Sequence, residues 1–120
     1  MKKRICVLED NAEIMDILTI IFEEADYDVH GFSTVAGFLL NVSGLNPDIC
    51  LLDVMLPDGN GLKVCEQIRG NDVTSHIPIV MMTAGADLNK AGNECVAEDY
   101  IAKPFDIYNL YERVNRLIVA

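Results

Sequence analysis

Four short stretches carry side chains that could handle a phosphoryl group together. Glu9-Asp10 follows an apolar run at residues 5–8, and Asp53 follows one at 49–52. Thr83 follows a run at 77–82, and Lys103-Pro104 follows a short strand-like stretch at 99–102. Carboxylates gathered on one rim repel one another and lose hydration unless a cation joins them. A few hard oxygen ligands, open to water, suit Mg²⁺. A carboxylate such as Asp53 can also attack phosphorus and form an acyl phosphate. Phosphoryl transfer needs in-line positioning and charge neutralisation more than acid–base help. Mg²⁺ and the Lys103 ammonium can supply the charge, and the Thr83 hydroxyl can bond a phosphoryl oxygen. Ala84 is small enough to leave the approach open. Any one of these acids could be a helix cap or a solvated turn. The set of acids with a lysine and a hydroxyl is what points to chemistry.

These residues meet only if the apolar runs are neighbouring parallel strands. Residues 5–8, 49–52 and 77–82 are continuous apolar runs, as strands buried on both faces should be. Residues 29–32, weakened by Gly31, and 99–102 complete a set of five. Helix-period patterns lie between them. Ile14, Ile17, Leu18, Ile21, Phe22 and Ala25 mark the first helix, with Asp10 or Asn11 as its cap. Thr34 caps a second helix with Val35, Phe38, Leu39 and Val42 on its inner face. Residues 61–69 form a third, facing inward through Val64, Cys65 and Ile68. Residues 87–95 form a poor fourth, broken by Gly92. A fifth starts near Asp106 and carries Ile107, Leu110, Tyr111, Val114, Leu117 and Ile118. Alternation of this kind predicts an α/β, doubly wound parallel sheet of five strands with five helices. Its ligand site lies outside the carboxyl ends of the strands. The turn-rich stretch at 56–61 leads from Asp53 into a helix. It would let a backbone carbonyl near Met55 face a metal.

The chain has 120 residues, the size of one domain spanning 1–120, and 51% of them are hydrophobic. Nineteen acids against nine bases give a net charge of −10. Such a surface repels phosphate backbones and anionic membranes, so direct nucleic-acid or membrane binding is not expected. The basic start at residues 1–4 precedes an apolar run too short for a signal peptide or a membrane span. Cys6, Cys50, Cys65 and Cys95 form no C-x-x-C pair and read as small buried hydrophobes in a reducing, cytoplasmic compartment. His30 and His76 are isolated and read as surface or loop residues.

The chain resembles the receiver domains of two-component response regulators almost end to end. The resemblance rests on Glu9-Asp10, on the run Leu51-Leu52-Asp53-Val54-Met55-Leu56-Pro57 with Gly61, on Thr83-Ala84, and on Asp99-Tyr100-Ile101-Ala102-Lys103-Pro104-Phe105. Each motif is weak alone; their joint order and spacing are specific. The resemblance implies a flavodoxin/CheY-like fold with strand order 2-1-3-4-5. It makes Asp53 the phosphoacceptor, served by a histidine kinase or a phosphotransfer protein. Glu9, Asp10, Asp53 and the Met55 carbonyl would hold Mg²⁺, while Thr83 and Lys103 hold the phosphoryl group. Tyr100 matches the aromatic switch that moves with Thr83. The fourth helix, fifth strand and fifth helix form the family's usual signalling face, where the poor fourth helix makes a population shift cheap. Such a domain is a phosphorylated signalling switch, not an enzyme with sustained turnover.

Two departures stand out. Val96 replaces a glycine common in the family, and the stretch from Thr83 to Tyr100 is short. Both bear on the output face. Met55 and Gly85, which flank the phosphoryl position in this fold, cannot orient an attacking water, so slow self-dephosphorylation is expected. A phosphatase is disfavoured because Met55 stands where such enzymes place a general acid. A flavin carrier is disfavoured because Glu9-Asp10-Asn11 would repel a phosphate. A phosphorylation-independent pseudo-receiver is the remaining alternative. The output domain or partner is unknown. A phospho-dependent homodimer and a fragment of a longer regulator both stay open.

Overall fold

A strand covered on both faces sends alternate side chains into two separate cores, so it must be apolar throughout. Strand β1 (Lys3–Leu8) shows this directly. Its Ile5 and Val7 join one buried cluster, while Cys6 and Leu8 join the other. Strand β3 (Ile49–Asp53) divides in the same way and is buried along its whole length. The computed structural model describes residues 2–84 and 96–119.

Strands β2 (Tyr27–Phe32), β6 (Ile79–Ala84) and β7 (Asp99–Lys103) complete a five-stranded sheet in the order β2-β1-β3-β6-β7, with every pairing parallel. This is the expected 2-1-3-4-5 order, because two short strands take the numbers between. Those are β4 (Met55–Leu56) and β5 (Gly59–Asn60), an antiparallel hairpin directly after β3. The sequence showed only a turn there. A two-residue strand carries no periodicity to read.

Helices α1 (Ala12–Glu24) and α4 (Ile107–Val119) cover one face of the sheet, through Leu18 and Phe22 and through Leu110 and Val114. Helices α2 (Val35–Leu45) and α3 (Gly61–Gly70) cover the other, through Phe38 and Val42 and through Leu62, Val64, Cys65 and Ile68. Four helices are therefore present among the described residues, rather than the five expected. The helix expected at 87–95 lies outside the described residues. Asn11, not Asp10, caps α1, accepting from the Ile14 amide at 3.0 Å. Thr34 caps α2, accepting from the Gly37 amide at 3.1 Å. Asn46 ends α2 in the left-handed region at φ 46°, a conformation asparagine tolerates better than most residues.

Several boundaries moved for physical reasons. Strand β2 begins at Tyr27 because β1 pairs with it from Lys3 onward. Strand β6 begins at Ile79, because Ile77 turns its amide back to the Thr74 carbonyl and Pro78 has no amide to give the ladder. Val96 does not sit at positive φ. Among the described residues only Asp26 and Asn46 are non-glycine exceptions. The turn before β7 is built another way: the Arg69 guanidinium donates to the carbonyls of Val96, Ser75 and Ile77 and pairs with Glu98. Three of the cysteines are buried as expected, and Cys6 and Cys50 are free thiols. Cys65 is disulfide-bonded, which corrects the reading of four reduced cysteines. Cys95 lies outside the described residues. His76 is exposed, while His30 is half-buried and lies 3.0 Å from Asp28.

Candidate functional site

Parallel strands of similar length end together, so the residues after them share one rim. The register places Leu8 opposite Leu52, which brings Glu9 beside Asp53. Asp53 lies opposite Met82, Thr83 opposite Ala102, and Ala84 opposite Lys103. Glu9 is fixed at the rim by its amide, which donates to the Phe32 carbonyl at 2.9 Å. Its Oε2 accepts from the Asn11 amide at 3.1 Å.

Carboxylate oxygens of Glu9, Asp10 and Asp53 lie within 4.8 Å of one another. Glu9 and Asp53 are buried, while Asp10 is exposed. Two unit charges at that separation repel by about 3 kcal/mol at an effective dielectric of about 20. Lys103 meets part of this repulsion. Its Nζ donates to Glu9 Oε1 at 2.6 Å and to Asp53 Oδ2 at 3.1 Å. Burial pushes the Glu9 carboxyl up, against the hydrogen bonds from Lys103 and the Asn11 amide, and the Asp53 charge pushes it further up. Burial works to lower Lys103, but the bonds and charges of Glu9 and Asp53 outweigh it and the ammonium is held above its ordinary value. One lysine against three carboxylates leaves an excess of negative charge on oxygen ligands. That donor set fits a small hard divalent cation, with Glu9, Asp10 and Asp53 as the residues able to hold it.

Of the remaining expected residues, Thr83 and Met55 belong to segments that meet at this rim, while Tyr100 does not. Thr83 is buried at the end of β6. Met55 follows Asp53 by two residues and its side chain points largely to solvent, 71% exposed. Gly61 packs so closely that a Cβ built on it would lie 1.9 Å from the Asp53 carbonyl oxygen. No glycine among the described residues has positive φ, so this glycine serves close approach and not backbone freedom. The Lys103-Pro104 peptide is cis. Tyr100 lies at the other end of β7 and is not part of the acidic cluster. Its hydroxyl accepts from the Ala97 amide at 3.0 Å, and its ring packs on the α2–α3 side. Gly85 lies outside the described residues.

Two features were not anticipated. Asp58, at the tip of the β4–β5 hairpin, accepts from the Val35 amide at 2.7 Å and the Ala36 amide at 3.1 Å. Those amide bonds hold its carboxyl below the usual range. The sequence shows Pro57-Asp58-Gly59 as a turn and gives no sign of a partner 23 residues away. Beside Lys103 there is also an apolar cleft of about 570 Å³, lined by Ile14, Ile17 and Leu18 of α1 and by Pro104, Phe105 and Ile107. No helix among the described residues is long and apolar enough to cross a membrane.

Residues 5–115 match the family described as response regulator receiver domain. MtrA, a DNA-binding response regulator of Mycobacterium tuberculosis (strain ATCC 25618 / H37Rv), is 40% identical over 117 residues, covering 96% of this chain and 50% of that protein. The chain thus spans about half the length of the curated relatives it matches. The non-phosphorylated HemR receiver domain from Leptospira biflexa has a TM-score of 0.89 at 29% identity, covering 99% of this chain and 96% of that one. A receiver domain of the sensor histidine kinase PA1611 from Pseudomonas aeruginosa PAO1, with a magnesium ion coordinated in its active-site cleft, shares the fold. Its TM-score is 0.89 at 23% identity, covering 100% of both chains.

Proposed function

The chain belongs to the response regulator receiver domain family of two-component systems, and from that premise we propose that it accepts a phosphoryl group on Asp53 in a Mg²⁺-dependent step. The observation that carries the proposal is the cluster of Glu9, Asp10 and Asp53 within 4.8 Å, with Lys103 bonded to both buried members.

Glu9, Asp10, Asp53 and the Met55 carbonyl are the groups that would hold Mg²⁺. The ion would supply positive charge to the carboxylates and to phosphoryl oxygens. An Asp53 oxygen attacks the phosphorus of a phosphohistidine on a sensor kinase or phosphotransfer protein. The oxygen–phosphorus bond forms as the phosphorus–nitrogen bond breaks, and the electron pair leaves with the imidazole. Lys103 and Thr83 receive the phosphoryl oxygens. The apolar cleft beside Lys103 suits an amphipathic helix on the donor. Thr83 and Tyr100 then carry the change toward β7 and α4, and a separate output domain or protein reads it. The relatives described as DNA-binding support a transcriptional output carried outside these residues. A cytoplasmic location follows from such partners. Met55 offers no group to hold an attacking water, so the acyl phosphate should persist; loss within seconds from the isolated domain would count against this.

The test is intact mass after incubation with acetyl phosphate and Mg²⁺, for the wild type and Asp53→Asn, with an EDTA control. A single Mg²⁺-dependent phosphoryl adduct, absent from the variant, is expected. A folded protein that neither takes the adduct nor binds Mg²⁺ would make it a phosphorylation-independent interaction module.

A further inference from the structure

The segment after Asp53 is tied down at both ends and at its tip. Its ends close on each other: the Val54 amide donates to the Met82 carbonyl at 3.0 Å, and the Gly61 amide donates to the Val54 carbonyl at 2.8 Å. Gly61 rests directly on the Asp53 backbone. Between these ends β4 and β5 pair through Met55–Asn60 and Leu56–Gly59. The tip reaches away from the sheet to the start of α2, where the Asp58 carboxylate takes both the Val35 and Ala36 amides. Gly59 packs there too, since a Cβ on it would lie 3.0 Å from a Val35 methyl.

The first amides of a helix have no partner within the helix, and a carboxylate is the strongest acceptor available to them. Helix α2 already has its own cap in Thr34, which serves the Gly37 amide. Asp58 therefore adds something a local cap does not. It fastens the hairpin that follows the phosphoacceptor to a helix packed independently against the sheet through Phe38 and Val42.

We infer that Asp58 is a positioning residue: by clamping the hairpin tip to the α2 N-terminus, it holds Asp53 and the Met55 carbonyl ready for a divalent cation. This deepens the proposed function and rests on it. Asp58 touches none of the acidic cluster and acts only through the hairpin. Outer partners that orient metal ligands typically contribute about 10- to 100-fold to metal affinity.

The test compares wild type, Asp58→Ala, Asp58→Asn and Thr34→Ala. Mg²⁺ binding is followed by calorimetry and Gly61 amide exchange by NMR. Asp58→Ala should weaken Mg²⁺ binding about tenfold and speed Gly61 exchange. Asp58→Asn keeps one acceptor and should fall between. Thr34→Ala weakens α2 without touching the hairpin, and should leave both readouts near wild type. Unchanged Mg²⁺ affinity and Gly61 exchange in Asp58→Ala would overturn the inference. Equal losses in Thr34→Ala and Asp58→Ala would also overturn it, because the effect would then be helix stability alone. A wild type that binds no Mg²⁺ overturns the proposed function instead, and Gly61 exchange in the same variants still decides whether Asp58 clamps the hairpin.

Discussion

Replacing Lys103 by methionine keeps the length of its stem and removes its charge, which isolates the electrostatic role of the lysine. Glu9 and Asp53 would lose the cation they share at 2.6 and 3.1 Å. Three carboxylates within 4.8 Å would then face one another, each pair repelling by about 3 kcal/mol at an effective dielectric of about 20. The penalty has a ceiling, because the buried Glu9 can take a proton instead. Protonating an ordinary glutamate at pH 7 costs about 3.7 kcal/mol, and at pH 5 about 1 kcal/mol. Lys103→Met should therefore lose about 2–4 kcal/mol of folding stability at pH 7 in the absence of divalent ions, and about 1 kcal/mol at pH 5.

The sign follows from the groups involved. Glu9 is raised in the folded state, so its cost is absent below its unfolded value and grows as pH rises above it. Lys103 is raised as well, so in the wild type it stays protonated throughout this range and adds no titration of its own. Urea unfolding of both proteins at pH 5 and pH 7, with EDTA and with millimolar Mg²⁺, reads the difference. Mg²⁺ should recover part of the loss at pH 7, since a ligand that binds only the native state stabilises it. An equal loss at both pH values, or no loss at pH 7, would refute the reasoning, because the lysine would then be packing and not balancing charge.

Gly61→Ala places a methyl 1.9 Å from the Asp53 carbonyl oxygen and 2.8 Å from its carbon, both backbone atoms with no room to yield. The variant should lose at least about 3 kcal/mol in chemical unfolding and label poorly with acetyl phosphate. Ile17, 50% exposed on the wall of the apolar cleft, tests the donor surface. Ile17→Glu should leave acetyl phosphate labelling within about twofold and slow transfer from a cognate kinase about tenfold or more.

Much of this architecture was readable because the sheet imposes a strict rule. Residues 5–8 and 49–52 must be apolar at every position to serve two cores, and a polar residue directly after such a run must sit on the rim. That rule placed Glu9 and Asp53 together, the alternation of strands and helices added Lys103 after the short stretch at 99–102, and Lys103 is bonded to the other two. It has nothing to say about contacts between polar groups far apart in sequence. The Asp58 link to Val35, the Arg69 fan of bonds at the turn before β7, and the Arg4–Asp28 pair depend on how loops fall once the sheet exists. The spacing of Cys65 gave no hint of a disulfide, because a pairing depends on where Cβ atoms lie in space.

Tyr100 shows how the site could reach the edge of the sheet. It pairs with Met81, two residues before Thr83, while its hydroxyl takes the Ala97 amide in the turn that begins β7. If Asp53 becomes an acyl phosphate as proposed, it loses its carboxylate charge, and the new negative charge sits on the phosphoryl oxygens. Lys103 and the Thr83 hydroxyl must follow that charge. If the Thr83 side chain withdraws toward the phosphate, space opens along β6 beside β7, and a half-buried ring such as Tyr100 lowers its energy by filling it. The ring cannot turn inward and keep the Ala97 amide bond. Ala97 amide exchange should therefore quicken on phosphorylation of the wild type. In Tyr100→Phe it should already be fast and change little, while labelling of Asp53 proceeds as before. Ala97 exchange that is identical in the phosphorylated and unphosphorylated wild type would mean that Tyr100 stays where it is and that the signal leaves the site by another route.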